Sequence, residues 1–226
     1  MNVTTGLSFL KQFPLFQILS EAEFDEITRN AEYRVFPKYG HIYLADDASD
    51  QIFFLLKGVV KVGTHSEEGR EVIKTILHPS AMFGELGLVG EDVRPEFARA
   101  MNQEVHCYSV PVAAFRDLMR SNFELCQRVL SLVGSRLRHT EDRLEALIFK
   151  DARTRIIDFL KECANKRGRK VGFEMLFKHC LTQQDIANLT GTSRQTVTSV
   201  LNELRKENLI YFNRRSILIR DIARLT

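Results

Sequence analysis

The sequence lacks the features that would place a protein in a membrane or outside the cell. Its 226 residues contain no uninterrupted apolar run near the roughly 18 residues of a membrane span. Residues 1–10 carry no basic residue and no hydrophobic signal segment, so we expect no secretory signal peptide. The cysteines form no Cys-x-x-Cys pair, which predicts reduced thiols in a cytoplasmic protein, without disulfides, a zinc site or a membrane partner. They are Cys107, Cys126, Cys163 and Cys180.

The composition predicts a folded protein whose charge is unevenly distributed. Apolar residues make up 44% and charged residues 27%, which excludes a disordered or fibrous chain. Residues 1–150 contain 17 Lys and Arg against 21 Asp and Glu, whereas residues 151–226 contain 15 against 8. A basic C-terminal third on an acidic protein is typical of a nucleic-acid-binding module, although a merely solvated basic surface gives the same balance.

Short β-type runs separated by turns occupy residues 33–110. Runs that predict individual strands lie at residues 51–56, 59–62 and 71–77. Strands of about 5 residues at such close spacing favour an antiparallel barrel or sandwich. Before them, residues 7–29 predict short amphipathic helices, with Ser20 as an N-cap.

A single long helix is predicted over residues 113–149, which contain no proline. Its apolar positions are spaced alternately three and four residues apart, the pattern of a coiled-coil seam. The seam positions are Phe123, Cys126, Leu130, Val133, Leu137, Thr140, Leu144 and Leu147. The polar Thr140 in the middle is typical of a position that fixes register or contacts something other than the partner. We expect a parallel contact between two copies; packing of the stripe on the chain's own β-domain is the alternative.

The most informative segment follows a helix that Asp151 is expected to cap. Thr182 opens a short helix with Asp185 as its capping-box partner. Gly191 supplies the positive φ that a tight turn between helices requires, and Ser193 caps the second helix. The residues whose spacing predicts a helix-turn-helix are Ile186, Ala187, Gly191, Val197 and Val200.

This arrangement exposes the first turn of the second helix to DNA. Arg pairs bidentately with guanine and Gln with adenine in the major groove, while hydroxyls and helix N-termini suit phosphates. Residues 209–219 predict a hairpin with a basic tip, which is a wing. The predicted DNA-binding residues are Thr182, Gln183, Ser193, Arg194, Gln195, Thr196, Thr198, Ser199, Arg205 and Arg214. A winged helix used for protein contacts is the alternative.

The order of β-domain, seam helix and winged helix-turn-helix resembles the Crp/Fnr superfamily of bacterial transcription regulators over nearly the whole chain. The resemblance implies an α+β chain with an N-terminal double-stranded, jelly-roll-like β-roll that senses an effector at residues 1–112. A dimerisation helix at 113–150 and a winged helix-turn-helix DNA-binding domain at 151–226 would follow. A second run is similar to the family's phosphate-binding cassette. It consists of Phe83, Gly84, Glu85, Leu86, Gly87 and Leu88.

The resemblance also implies an effector pocket. In cyclic-nucleotide members of the family a Glu binds the ribose hydroxyl, an Arg grips the cyclic phosphate and a Thr on the seam helix reaches the base. Glu85, Arg94 and Thr140 match these three positions, and Arg136 matches an arginine near the same pocket. The implied effector-binding residues are Phe83, Gly84, Glu85, Leu86, Arg94, Arg136 and Thr140.

The sequence departs from the family pattern around the phosphate arginine. The loop before Arg94 is one residue short, and Pro95 replaces a Ser or Thr, which removes a hydroxyl and an amide donor. Glu96 brings a carboxylate close to the expected phosphate. These departures disfavour cyclic AMP and leave the effector open. Iron–sulfur members cluster cysteines near the N-terminus, where residues 1–106 have none, so we expect no iron–sulfur cluster.

The recognition helix departs as well, because Gln195 and Ser199 replace an acid and an arginine of well-known members. The operator sequence therefore stays open, although a dimer still requires a palindrome. We expect a homodimer that binds duplex DNA under the control of an effector and contacts RNA polymerase. The rival is a small-molecule sensor acting through protein partners, which salt-dependent DNA binding would distinguish. An enzyme is least supported, because no nucleophile elbow, metal-ligand spacing or Walker-type loop occurs.

Overall fold

The structure is a computed structural model that describes residues 10, 11 and 13–225. The helices in this part of the chain are α1 (Glu21–Arg29), α2 (Val112–Ser121), α3 (Phe123–Phe149), α4 (Ala152–Arg167), α5 (Gln183–Thr190) and α6 (Arg194–Lys206). The strands are β1 (Glu32–Phe36), β2 (His41–Tyr43), β3 (Gln51–Lys57), β4 (Val60–His65), β5 (Glu71–Leu77), β6 (Met82–Phe83), β7 (Phe97–Ala100), β8 (Val105–Pro111), β9 (Arg169–Val171), β10 (Glu174–Lys178), β11 (Ile210–Phe212) and β12 (Ser216–Ile219). None of the described helices is long and apolar enough to cross a membrane.

The chain divides by its contacts into two units. The first consists of Met1–Glu68 and Lys74–Arg138, and the second of Gly69–Ile73 and His139–Thr226. Two elements therefore contribute to both units. Helix α3 passes from the first unit to the second, and strand β5 begins in the second unit and ends in the first.

Strands β1 to β8 form two four-stranded sheets, with the orders β1-β8-β3-β6 and β2-β7-β4-β5. Residues 52–56 of β3 are all buried, so its sequence is apolar without alternation. The rings of Phe53 and Phe83 stack with their centroids 5.1 Å apart in this core. The pairs of β8 with β1 and β3 are antiparallel, which confirms the predicted antiparallel β-domain.

The predicted single helix over residues 113–149 is wrong, because α2 and α3 are separated at Asn122. The backbone of Asn122 is extended, with φ −123° and ψ 97°. Its Oδ1 accepts a hydrogen bond from the backbone N–H of Leu125 at 2.9 Å, and its Nδ2 donates to Glu23 Oε1 at 3.0 Å. An Asn side chain that bonds nearby backbone competes with the helix ladder, so one helix ends and another begins without a proline.

Helix α3 buries one face and exposes most of the predicted seam, although Cys126 and Val133 are half-buried. Leu125 and Val129 lie in the core of the first unit with 0% and 2% of their surface exposed. Phe123, Leu130 and Leu137 on the seam are 73%, 60% and 59% exposed. The alternative that the seam packs on the chain's own β-domain therefore does not hold for these three side chains.

The second unit contains the predicted winged helix-turn-helix. Asp151 caps α4, since its carboxylate accepts a hydrogen bond from the N–H of Thr154 at 2.7 Å. Helices α4 and α6 pack on a four-stranded sheet of order β11-β12-β10-β9, and α5 packs against both of these helices. The apolar residues predicted for the inner faces of the two motif helices are buried, namely Ile186, Ala187, Val197 and Val200, and Leu201 and Leu204 are buried with them.

Candidate nucleic-acid interface and effector site

The turn between α5 and α6 has the geometry that its sequence predicts. Thr182 Oγ1 accepts a hydrogen bond from the N–H of Asp185 at 3.1 Å, and the Asp185 carboxylate accepts one from the N–H of Thr182 at 2.8 Å. Gly191 has φ 62°, the left-handed region that favours glycine. Ala187 is fully buried, which allows the two helices to approach closely. The predicted capping box and turn are therefore confirmed.

The first turn of α6 presents polar side chains to solvent. Arg194, Gln195 and Ser199 are exposed, whereas Val197 between them is buried. Ser193 Oγ accepts a hydrogen bond from the N–H of Thr196 at 3.0 Å and lies 2.8 Å from the hydroxyl of Thr196. Arg194 and Gln195 are therefore available to base edges, while the hydroxyls of Ser193 and Thr196 are engaged with each other.

Thr198 joins the two helices of the motif. Its hydroxyl lies 2.7 Å from Gln183 Oε1 and 2.8 Å from the carbonyl oxygen of Arg194. The same contact orients the amide of Gln183, a predicted DNA-binding residue at the start of α5. The spacing of the motif predicts both residues on the side of the DNA, but it gives no sign of the bond between them.

The wing carries two exposed arginines at its tip. Asn213 Oδ1 accepts hydrogen bonds from the N–H groups of Arg215 at 2.8 Å and Ser216 at 2.9 Å, which holds the turn between β11 and β12. Arg214 and Arg215 are exposed beside this turn. The Arg205 guanidinium lies 5.3 Å from the centre of the Phe212 ring, so its side chain is directed along the wing.

Arg155 is a structural contact that sequence analysis missed. From α4 it donates hydrogen bonds to the carbonyl oxygens of Thr190 at 2.9 Å and Gly191 at 3.1 Å. A cation at the C-terminus of a helix satisfies carbonyl groups that have no partner within the helix. Arg155 thus holds the turn that separates α5 from α6, and the local sequence gives no signal for so distant a partner.

In the first unit, the proposed phosphate arginine is bound to backbone. Arg94 is 3% exposed and donates hydrogen bonds to the carbonyl oxygens of Gly84, at 2.9 Å, and Gln51. Its guanidinium lies 4.4 Å from the centre of the Tyr43 ring, and its Nε has no hydrogen-bond partner among the described residues. Burial lowers the pKa of Arg94 and raises that of Tyr43.

The proposed ribose acid forms an ion pair. Glu85 is 7% exposed, and its Oε1 accepts a hydrogen bond from Arg136 Nη1. Arg136 also donates to the carbonyl oxygen of Met82, so it holds the cassette at two points, and burial lowers its pKa. The family resemblance places both residues in the pocket, but it does not indicate that they neutralise each other.

The remaining cassette positions lie around these two arginines. Phe83 is buried and Leu86 half-buried, while Gly84 has φ 77°, and a Cβ there would lie 2.8 Å from Arg94 Nη1. Glu96 forms an ion pair with Lys74 at 2.9 Å. Thr140 lies on an exposed part of α3 that belongs to the second unit, whereas the other implied effector residues belong to the first.

Comparison with known proteins agrees with this architecture. Residues 33–122 match the family model of the cyclic nucleotide-binding domain, and residues 154–226 match that of the Crp-like helix-turn-helix domain. The combination defines a DNA-binding transcription regulator whose first domain is of the ligand-sensing type.

The chain is similar over most of its length to named regulators. It is 31% identical over 211 residues to a CRP-like cAMP-activated global transcriptional regulator of Mycobacterium tuberculosis, covering 93% of this chain and 94% of that protein. It is 28% identical to the global nitrogen regulator of a Nostoc species, covering 79% and 80%. The structure of FixK2 from Bradyrhizobium japonicum has the same fold, with a TM-score of 0.76, 23% identity and coverage of 86% and 95%. The chain belongs to the CRP/FNR family of transcription regulators.

Proposed function

We propose that the protein binds a palindromic DNA operator as a homodimer joined along α3. The observation that carries the proposal is the exposed stripe of large apolar side chains in a heptad pattern on that helix. Exposed stripes of this kind mark surfaces that another protein covers. Two identical chains place two copies of α6 in symmetric positions. A symmetric pair of recognition helices fits a palindrome.

Base recognition is assigned to the exposed first turn of α6. Arg194 and Gln195 carry side chains that read guanine and adenine in the major groove. Arg214 at the tip of the wing supplies charge for the phosphate backbone without base preference. A regulator that acts on the chromosome works in the cytoplasm, and RNA polymerase is the partner through which such binding changes transcription.

The effector is a small molecule that acts within the first unit at Glu85, Arg94 and Arg136. Its chemistry differs from that of cyclic AMP, which activates the mycobacterial relative according to that protein's name. Two observations support the difference. Arg94 donates to two backbone carbonyls, so a phosphate would have to compete with them. Pro95 offers no N–H, and Glu96 adds a carboxylate beside the same arginine.

The experiment is a selection of bound sequences from a random duplex pool, with and without cyclic AMP and cyclic GMP. The proposal predicts an enriched palindrome whose half-sites are about one helical turn apart. It also predicts that cyclic AMP leaves enrichment unchanged. Enrichment of an asymmetric site would contradict the dimer, and enrichment only with cyclic AMP would contradict the effector assignment. Absence of any enriched duplex would favour a regulator that acts through protein partners.

A further inference from the structure

Strand β5 begins beside the first helix of the helix-turn-helix. Residues 69–73 belong by their contacts to the second unit, although they continue the chain from β4. Glu71 Oε1 accepts a hydrogen bond from Asn188 Nδ2, on α5, at 3.0 Å. Asn188 Oδ1 in turn accepts from Gln184 Nε2 at 2.8 Å, so the amide of Asn188 is held from both sides. The β5 strand and α5 are therefore joined through a fixed side chain.

Arg143 of α3 makes a second connection between the same two elements. It donates hydrogen bonds to the carbonyl oxygen of Ile73 on β5, at 3.3 Å, and to that of Leu189 in the last turn of α5. The last carbonyls of a helix lack partners within the helix, and the Arg143 guanidinium supplies one for Leu189 while it also reaches the strand carbonyl of Ile73. Burial lowers the pKa of Arg143, while Glu162 raises it.

The other end of β5 lies in the effector-sensing unit. Lys74, the residue after Ile73, forms the ion pair with Glu96, two positions beyond Arg94 in the chain. The Lys74–Glu96 pair therefore belongs to the first unit, whereas Glu71 and Ile73 belong to the second.

We propose that Glu71, Arg143 and Asn188 are positioning residues for DNA binding. They link the start of β5 to α5 and thereby fix the orientation of the helix-turn-helix. The proposal rests on the DNA-binding function, and it adds three residues that do not contact DNA. Each of them acts by reducing the freedom of α5, which α6 follows through the Gly191 turn.

A double-mutant cycle on full-length protein tests the link. The variants Glu71→Ala, Asn188→Ala and their combination are titrated against the selected palindromic duplex. Because both substitutions break the same hydrogen bond, each weakens binding by about three- to tenfold, and the combination is no weaker than the worse single variant. Glu68→Ala, which removes an exposed carboxylate from the preceding turn, is the matched control and leaves affinity within about twofold.

Two further measurements distinguish an effect on DNA binding from a general loss of stability in the variants. The urea midpoint of each variant is measured, so that loss of affinity is compared at equal folded fraction. Hydrogen exchange of residues 69–77 is followed with and without the duplex. Linkage is reciprocal, so DNA slows exchange there in the wild-type protein and has less effect in Asn188→Ala.

Additive losses, tighter binding, or affinities equal to that of Glu68→Ala would overturn the link, as would exchange at residues 69–77 that ignores DNA. Arg194→Ala is titrated alongside, so that failure of the link can be told apart from failure of the DNA-binding assignment. If Arg194→Ala weakens binding while Glu71→Ala does not, the link fails and the DNA-binding assignment stands. If neither substitution weakens binding, the assignment of α6 as the recognition helix fails as well.

Discussion

Arg136 on α3 and Glu85 in the cassette form an ion pair inside the first unit. Only 9% of the Glu85 side chain is exposed, whereas 35% of the Arg136 side chain is exposed. One half of the pair is therefore desolvated and depends on the other for neutralisation. This contact, together with the bond from Arg136 to the Met82 carbonyl, attaches the cassette to the helix that continues into the second unit.

Arg136→Ala is expected to destabilise the protein because it leaves the Glu85 charge buried and unpaired. We expect a loss of about 1–3 kcal/mol in the free energy of unfolding, below the range for fully buried pairs, since Arg136 is partly solvated. A urea titration measures it, with the exposed Arg138→Ala as control. Adding Glu85→Gln to Arg136→Ala should restore part of the loss. An unchanged urea midpoint for Arg136→Ala would show that the pair contributes nothing.

Gly191→Ala is expected to destabilise the second unit through the backbone. The φ of 62° costs a non-glycine residue about 1 kcal/mol, whereas Asn tolerates this region better. A Cβ there also lies 2.7 Å from Leu147 Cδ2, a flexible side-chain end that can move. Thermal unfolding should therefore rank wild type above Gly191→Asn and Gly191→Asn above Gly191→Ala. Equal melting temperatures for the Ala and Asn variants would contradict a left-handed turn.

Several of these features follow from local chemistry and could be predicted from the sequence. Thr182 with Asp185, Gly191 and Ser193 each act on residues no more than four positions away, so their spacing reveals them. The break at Asn122 was missed because Asn is compatible with a helix unless its side chain bonds elsewhere, here to Glu23.

Long-range partners were not predictable from the same pattern. Glu71 and Asn188 are 117 positions apart, and neither position has an unusual residue type. The apolar spacing assigns Leu147 to the seam, but it does not indicate that a Cβ at Gly191 would lie 2.7 Å from Leu147 Cδ2, which depends on how α3 meets the turn. Pairing of Glu85 with Arg136 likewise requires the fold, because charge signs alone do not choose partners.

Acidification should destabilise the second unit through His179. Burial lowers the pKa of His179 below its ordinary value of 6.5 and nearby Arg167 lowers it further, although the nearby backbone of Leu181 opposes this shift. The unfolded chain therefore takes up the proton first, and stability falls as the pH drops below about 6.5 until the folded-state pKa is reached. Above that window the contribution is constant.

The measurement is hydrogen exchange of Ile217 and Ile219 between pH 5 and 8, after correction for intrinsic rates. Both residues are buried on β12, next to β10, the strand that ends just before His179. His179→Gln should flatten the fall in protection at low pH. His41→Gln, which changes a histidine in the other unit, should leave protection at these two strand positions unchanged. A fall that is as steep in His179→Gln as in the wild type would exclude His179 as its source.

Arg194→Ala and Arg214→Ala should weaken DNA binding in different ways. Arg194→Ala should cost about 1–3 kcal/mol and relax base preference at one position of each half-site. Arg214→Ala should weaken all sequences similarly and reduce the salt dependence by about one unit of slope per chain. Mobility-shift titrations on the selected duplex and on scrambled duplexes measure both. An operator affinity that survives Arg194→Ala unchanged would remove α6 from the role of recognition helix.

Two chains joined along α3 are expected to present two copies of the recognition helix α6 at a fixed distance. Sedimentation with fluorescent duplexes tests it directly, using the selected palindrome and one whose half-sites are moved apart by half a helical turn. We predict one dimer per palindrome and an affinity at least about a hundredfold lower for the displaced duplex. The second copy of α6 then faces the wrong side of the DNA. Leu137→Glu, but not the off-seam Ser135→Glu, should give monomers that bind both duplexes equally weakly. Wild-type protein that sediments as a monomer on the palindrome, or binds the displaced duplex equally well, would contradict the account.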